Sequence, residues 1–189
     1  MKIIIKDQEY HLPDNMGEIT IEEYMDIEKL KELYIKEELT DVEYVTEVAS
    51  TLTGIHPDLI MSLEIQSFND LYNEVYKLAS EDFVELKKYG QEIEFEIDNV
   101  KYKFDTKLDN IPTGQWIDLD KQFREPDFWA NAPKLFAMLL RPVDEKGVII
   151  NYNINEINSR VELFRKKLKL KYFLPVHTFF LTFSKELQK

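Results

Sequence analysis

Three histidines, His11, His56 and His177, are the only imidazoles in a chain of 189 residues that has no cysteine. A structural zinc needs four nitrogen or sulfur donors held close together. These three fall in different predicted elements, none is paired with another at helical spacing, and there is no thiolate to complete a set. Asp105, Asp109, Asp118 and Asp120 are oxygen donors of the kind calcium takes. They lack the glycine and the bidentate Glu that an EF-hand loop places at fixed positions, so they read as a solvated helix face. Gly17, Gly54, Gly90, Gly114 and Gly147 are too dispersed to cradle a phosphate, and no nucleophile elbow occurs. Paired carboxylates for acid-base work abound among 36 Asp and Glu, but nothing singles out a pair. The expectation is a protein with no catalytic residue, no metal and no cofactor, that is, not an enzyme.

The remaining candidates are for binding. Arg165, Lys166, Lys167, Lys169 and Lys171, preceded by Arg160, form the one concentrated positive segment. Cations near a helix C-terminus complement its dipole, and the same run is a candidate basic patch for an acidic partner or for nucleic acid. Trp116, Trp129 and Arg141 are the residue types that anchor protein interfaces. Toward the C-terminus, Phe173, Val176, Phe180, Phe183 and Leu187 recur at three- and four-residue spacing, the stripe of a packed helix. Leu174, Phe179 and Leu181 make its other side apolar as well, so that helix is either internal to a core or committed to a partner. Phe173, Phe179, Phe180 and Phe183 therefore join Trp116, Trp129 and Arg141 as candidate partner-binding residues.

What positions them is a repeated pattern. Residues 3–31 and 95–123 share an ungapped register when 92 is added to each number. Ile3 falls on Phe95, Ile5 on Ile97, Tyr10 on Tyr102, Leu12 on Phe104, Ile19 on Ile111, Tyr24 on Trp116 and Ile27 on Leu119. A register kept through two strands, a loop and a helix implies two copies of one unit. The expected fold is α+β, predominantly helical, as two tandem copies of a β-hairpin followed by several helices. The expected boundaries are 1–80 for the first copy, 81–91 for a connecting helix or linker, and 92–189 for the second.

Local signals fill in the elements. Strands are expected at Lys2 to Lys6 and Glu9 to Leu12, turning at Asp7-Gln8, and again at Ile93 to Ile97 and Val100 to Phe104, turning at Asp98-Asn99. Thr20 with Glu23, and Thr40 with Glu43, are capping boxes that open two helices; Gly54 stops the second. Pro57 suits the first turn of a short helix through Leu63, and Ser67 to Asp70 starts another through Leu78. A further helix is read at Glu81 to Tyr89, stopped by Gly90. Pro112 or Thr113 begins the Trp116 helix, Asp127 caps the next, and Arg141-Pro142 ends it. Asn155 or Asn158 caps a helix carrying Val161, Leu163 and Phe164, and Pro175 opens the last.

Bulk properties bound the class. Apolar residues at 44% are too many for a disordered chain, so it folds. A net charge of −12 argues against a broad nucleic-acid-binding face. In MKIIIKDQEY the apolar run covers only Ile3 to Ile5, far short of a signal sequence, and the greasy stretch from Tyr172 to Phe183 is too short for a membrane span of about 20 residues.

Two groups of segments are familiar. LTGIHPDLIMSL, from Leu52, resembles a segment of small tail-assembly and connector-type proteins of tailed bacteriophages. The series IPTGQWIDLDKQF, KLFAMLLRPV, SRVELF and FFLTFSKEL is similar to virion or assembly proteins of phages of gut Bacteroidota, including the crAss-like phages. The matching segments cover a quarter to a third of the chain and carry no functional residue. The resemblance implies a non-enzymatic protein, made in the bacterial host cytoplasm and located in the virion, where it binds other phage structural proteins in several copies as a structural or packaged component. Two alternatives stand beside it: a tail-assembly chaperone that binds the tape-measure protein, and a host-directed inhibitor.

Overall fold

The computed structural model describes residues 2–80, 94–104, 111–123, 125, 128–173 and 176. The chain is α+β and mostly helical, and it divides into two compact units, Met1–Leu86 and Lys87–Lys189.

Unit 1 opens with β1 (Lys2–Ile5) and β2 (Gln8–His11), paired antiparallel with Ile3 opposite Tyr10 and Ile5 opposite Gln8. The turn residues are Lys6 and Asp7, at φ 49° and 64°. Two consecutive left-handed residues make the type I′ turn whose twist matches the strands. The turn thus lies one residue earlier than the expected Asp7-Gln8, with Gln8 taken into β2 opposite Ile5 and Ile3 kept opposite Tyr10. Ile3, Ile5 and Leu12 are buried beneath it.

A short 3-10 turn (Met16–Glu18) leads to α1 (Ile21–Ile35) and then α2 (Asp41–Thr53). Both helices begin with complete capping boxes. Thr20 Oγ1 accepts from Glu23 N, whose carboxylate accepts from Thr20 N at 2.7 Å, and Thr40 and Glu43 repeat the exchange at 2.9 Å. Gly54 ends α2 at φ +70°, a conformation glycine adopts without a Cβ penalty. After α3 (Pro57–Met61) comes α4 (Ile65–Ala79), which starts two residues before Ser67. α2 is the hub of the unit, packed against α1, α3 and α4. Its Val45, Val48 and Ala49 are almost fully buried.

Unit 2 repeats the opening. β3 (Glu94–Ile97) and β4 (Val100–Phe104) pair with Phe95 opposite Tyr102 and Ile97 opposite Val100, each pair 92 residues beyond its counterpart in unit 1. The turn residues Asp98 and Asn99 sit at φ 49° and 63°, matching Lys6 and Asp7. α5 (Thr113–Phe123) starts 92 residues after α1, and Leu119 is as buried as Ile27.

The copies then diverge. α6 (Phe128–Leu139) holds Pro133 within it and runs directly into a third strand, β5 (Leu140–Pro142), which pairs antiparallel with β4. Arg141-Pro142 was expected only to end the helix; instead the chain turns extended there, which the residue before a proline favours. α7 (Ile154–Lys167) is capped by Asn153, whose side chain accepts from Asn155 N at 3.1 Å, rather than by Asn155 or Asn158. α6 is the hub of unit 2, packed on α5 and α7. Phe164 of α7 meets the hairpin edge-on, 5.0 Å from the Tyr102 ring. The helix expected at Glu81 to Tyr89 and the one opened by Pro175 lie outside the described residues.

Candidate protein-interaction surfaces

In unit 1 the packing of α1, α2 and α4 gathers aromatic rings at one surface. Tyr34, in the last turn of α1, stacks on Tyr44 of α2 with centroids 4.7 Å apart. Its hydroxyl donates to Asp41 Oδ1 at 2.8 Å. On α4, Phe68, Tyr72 and Tyr76 follow one another at four-residue spacing, so they share a face, with successive centroids 6.4 and 6.1 Å apart. The two groups adjoin, since Tyr34 and Tyr44 both feel Tyr76 electrostatically and Tyr72 feels Asp41. Tyr76 is 48% exposed, and Phe68, Tyr72 and Tyr34 are half-buried.

The charge near these rings is negative. The hydrogen bond to Asp41 raises the Tyr34 phenol above its ordinary value, while burial first and then Asp41 raise Tyr72. Burial pushes Tyr44 up to about 12. The raised values keep all three phenols in the neutral form, with Tyr34 donating to Asp41. Rings with an apolar body and a polar tip, left part-exposed in a group, are typical of protein interfaces.

The net acidity of the chain belongs to this unit alone. Unit 1 holds 6 Lys and Arg against 21 Asp and Glu, a formal charge of −15. Unit 2 holds 18 against 15, a charge of +3.

In unit 2 the anticipated residues have varied surroundings. Trp116 on α5 and Trp129 on α6 are half-buried, the latter stacked on Phe173 with centroids 5.2 Å apart. Phe173 is fully buried and also stacks on Phe136 at 4.3 Å, so it serves the core of the unit. Arg141 is 7% exposed within β5, opposite Lys103. Neither Phe173 nor Arg141 offers a surface to a partner. Phe179, Phe180 and Phe183 lie outside the described residues.

The basic run is partly used within the unit. Lys167 Nζ holds both oxygens of Asp98 in the hairpin turn, at 2.6 and 2.7 Å, and Arg165 approaches Glu162 at 3.6 Å. Lys171 lies over the Tyr172 ring at 5.0 Å, Lys169 is half-buried and Lys166 is exposed.

Two polar residues have structural work instead: Gln115, which the sequence did not single out, and Arg160, which it offered only as the head of the basic segment. Because α6 passes into β5 without a terminal turn, its last carbonyls need donors. Arg160 Nη2 of α7 donates to Ala137 O at 3.0 Å, and Gln115 Nε2 of α5 donates to Met138 O at 2.8 Å, both side chains being buried. Nearby, the Tyr152 hydroxyl donates to Asp118 Oδ2 at 2.9 Å, and burial together with that carboxylate raises the phenol far above its ordinary value. Asp118 therefore serves packing. His56 Nδ1 accepts from Asp58 N at the start of α3, and His11 is exposed on β2.

Comparison with known proteins finds no matching family model, no matching curated protein and no matching solved structure. Among the described residues, no helix is long and apolar enough to cross a membrane.

Proposed function

We propose that the chain is a non-enzymatic protein that acts through protein–protein contacts, as a structural or packaged component of a tailed-phage particle. The observation that carries the contact reading is the part-exposed cluster of Tyr34, Phe68, Tyr72 and Tyr76 on a unit of charge −15. It combines the residue types that anchor interfaces with a field that steers a cationic partner. The phage assignment rests on the segments that resemble phage virion and assembly proteins. Mass spectrometry of purified particles tests it: the protein should be present in fixed proportion to the tail proteins, and its absence from them rejects a packaged role. Tyr72→Ala with Tyr76→Ala should leave the fold intact and deplete the protein from particles.

The charge segregation favours one second reading, a host-directed inhibitor that occupies a basic surface of a host enzyme. Co-purification from infected cells with a host protein and with no phage protein selects it. Recovery with a single elongated tape-measure protein, together with absence from finished particles, selects the assembly chaperone.

A further inference from the structure

We infer that the outer edge of β2 is a strand-addition site, which takes an extended, basic segment of a partner protein as the third strand of unit 1. The second copy of the unit supplies the template. In unit 2, β5 lies along β4 with Lys103 opposite Arg141 and Tyr102 opposite Pro142, and Val143 N donates to Lys101 O at 2.9 Å. In unit 1 the equivalent positions are Glu9, Tyr10 and His11 of β2, reached through the same hairpin register and the same turn. No third strand pairs with them among the described residues.

The reason is visible in the elements. The second helix of unit 2 runs straight into β5, whereas the second helix of unit 1 ends at left-handed Gly54 and continues into α3. Among the described residues, the unit 1 edge therefore has no strand in the place that β5 takes in unit 2.

Its backbone groups face outward. In a two-residue hairpin the residues flanking the turn, here Ile5 and Gln8, exchange hydrogen bonds, so Gln8 and Tyr10 point their amides at β1 while Glu9 and His11 point theirs away. Glu9 and His11 are both exposed. Main-chain hydrogen bonds to such an edge give affinity, and alternate side chains give selectivity.

Selectivity follows from the surroundings. Tyr10 is half-buried where its counterpart Tyr102 is 4% exposed, so an apolar residue opposite Tyr10 completes that face. Lys2 already meets Glu9 at 2.6 Å, so the preference for cations comes from the −15 charge of the unit more than from this one carboxylate. The same charge opposes pairing with β2 of a second copy. This inference shares the premise of action through protein contacts but concerns a different surface from the tyrosine cluster.

The test uses the full chain and amide exchange read by NMR, with a blocked peptide of alternating Lys and Val at millimolar concentration and an alternating Glu and Val peptide beside it. The Lys-Val peptide should slow exchange of the Glu9 and His11 amides at least tenfold, and the Glu-Val peptide should not. His11→Pro removes one outward N–H without touching the β1 ladder, as edge positions tolerate, and should abolish the effect while circular dichroism stays unchanged. Absence of protection in the unmodified protein overturns the proposal, as does equal protection by both peptides. A chain that is dimeric alone and becomes monomeric on His11→Pro assigns the edge to a second copy and overturns the partner. Failure on any of these counts leaves the Tyr72 and Tyr76 test, and the reading behind it, intact.

Discussion

A single guanidinium holds together two elements of unit 2. Arg160 reaches from α7 to the Ala137 carbonyl at 3.0 Å, where the α6 macrodipole is negative and the chain turns extended. Arg160→Met keeps the side-chain volume and strands that carbonyl, so urea denaturation should show a loss of about 2 kcal/mol, the range for a hydrogen bond to a charged group. The tyrosines give a second outcome at this scale. Tyr44 has a folded-state pKa of about 12, above the ordinary phenol, so its contribution is fully present below about pH 10 and is lost as pH rises toward 12. Stability should fall across that window, and Tyr44→Phe should make the fall shallower while leaving stability below pH 9 little changed. From the sequence, the apolar pairs were legible: Ile27 and Leu119 occupy one register position and both are buried. Gln115 and Arg160 were not, because a polar side chain in an amphipathic helix has the same pattern whether it faces water or a carbonyl.

The hairpins are where local chemistry decides most. Both turns place non-glycine residues at left-handed φ in both central positions, although glycine is the preferred second residue of such turns. Asp7→Gly and Asn99→Gly should each therefore stabilise its unit by about 0.5 kcal/mol in chemical denaturation, less the entropy glycine adds to the unfolded chain. Equal gains would show that the two turns are energetically as well as geometrically equivalent, and a loss at either would show that its side chain holds the turn. The capping boxes at Thr20 and Thr40 were readable because Thr and Glu three residues apart satisfy backbone groups locally. β5 was not readable, since Leu140-Arg141-Pro142 is too short to show alternation and acquires its strand geometry from β4.

For the molecule as a whole, the division of charge is the property with the clearest consequence. A unit of −15 beside one of +3 should bind a polycation such as polylysine through unit 1. Titration calorimetry should find that affinity falling steeply with salt, as the screening length drops from about 10 Å at 0.1 M to about 3 Å at 1 M. Salt-independent binding would point to the aromatic cluster instead. The hairpin-and-helix doubling was visible as a shared register, but a whole-chain charge of −12 hides its own distribution, and only the division into units reveals it.

Two hairpins of identical register and turn in one chain invite strand exchange during folding, since β1 could zip to β4 and β3 to β2 with every apolar residue still inward. The water-facing residues disfavour it. In the correct pairs Glu94 meets Lys103, at 3.3 Å, and Glu96 meets Lys101, while Lys2 meets Glu9 on the diagonal. The hybrids would set Lys2 against Lys103 and Glu96 against Glu9, like charges directly opposed. The copies carry opposite polarity on their outer faces, a bias that favours each strand pairing with its own sister.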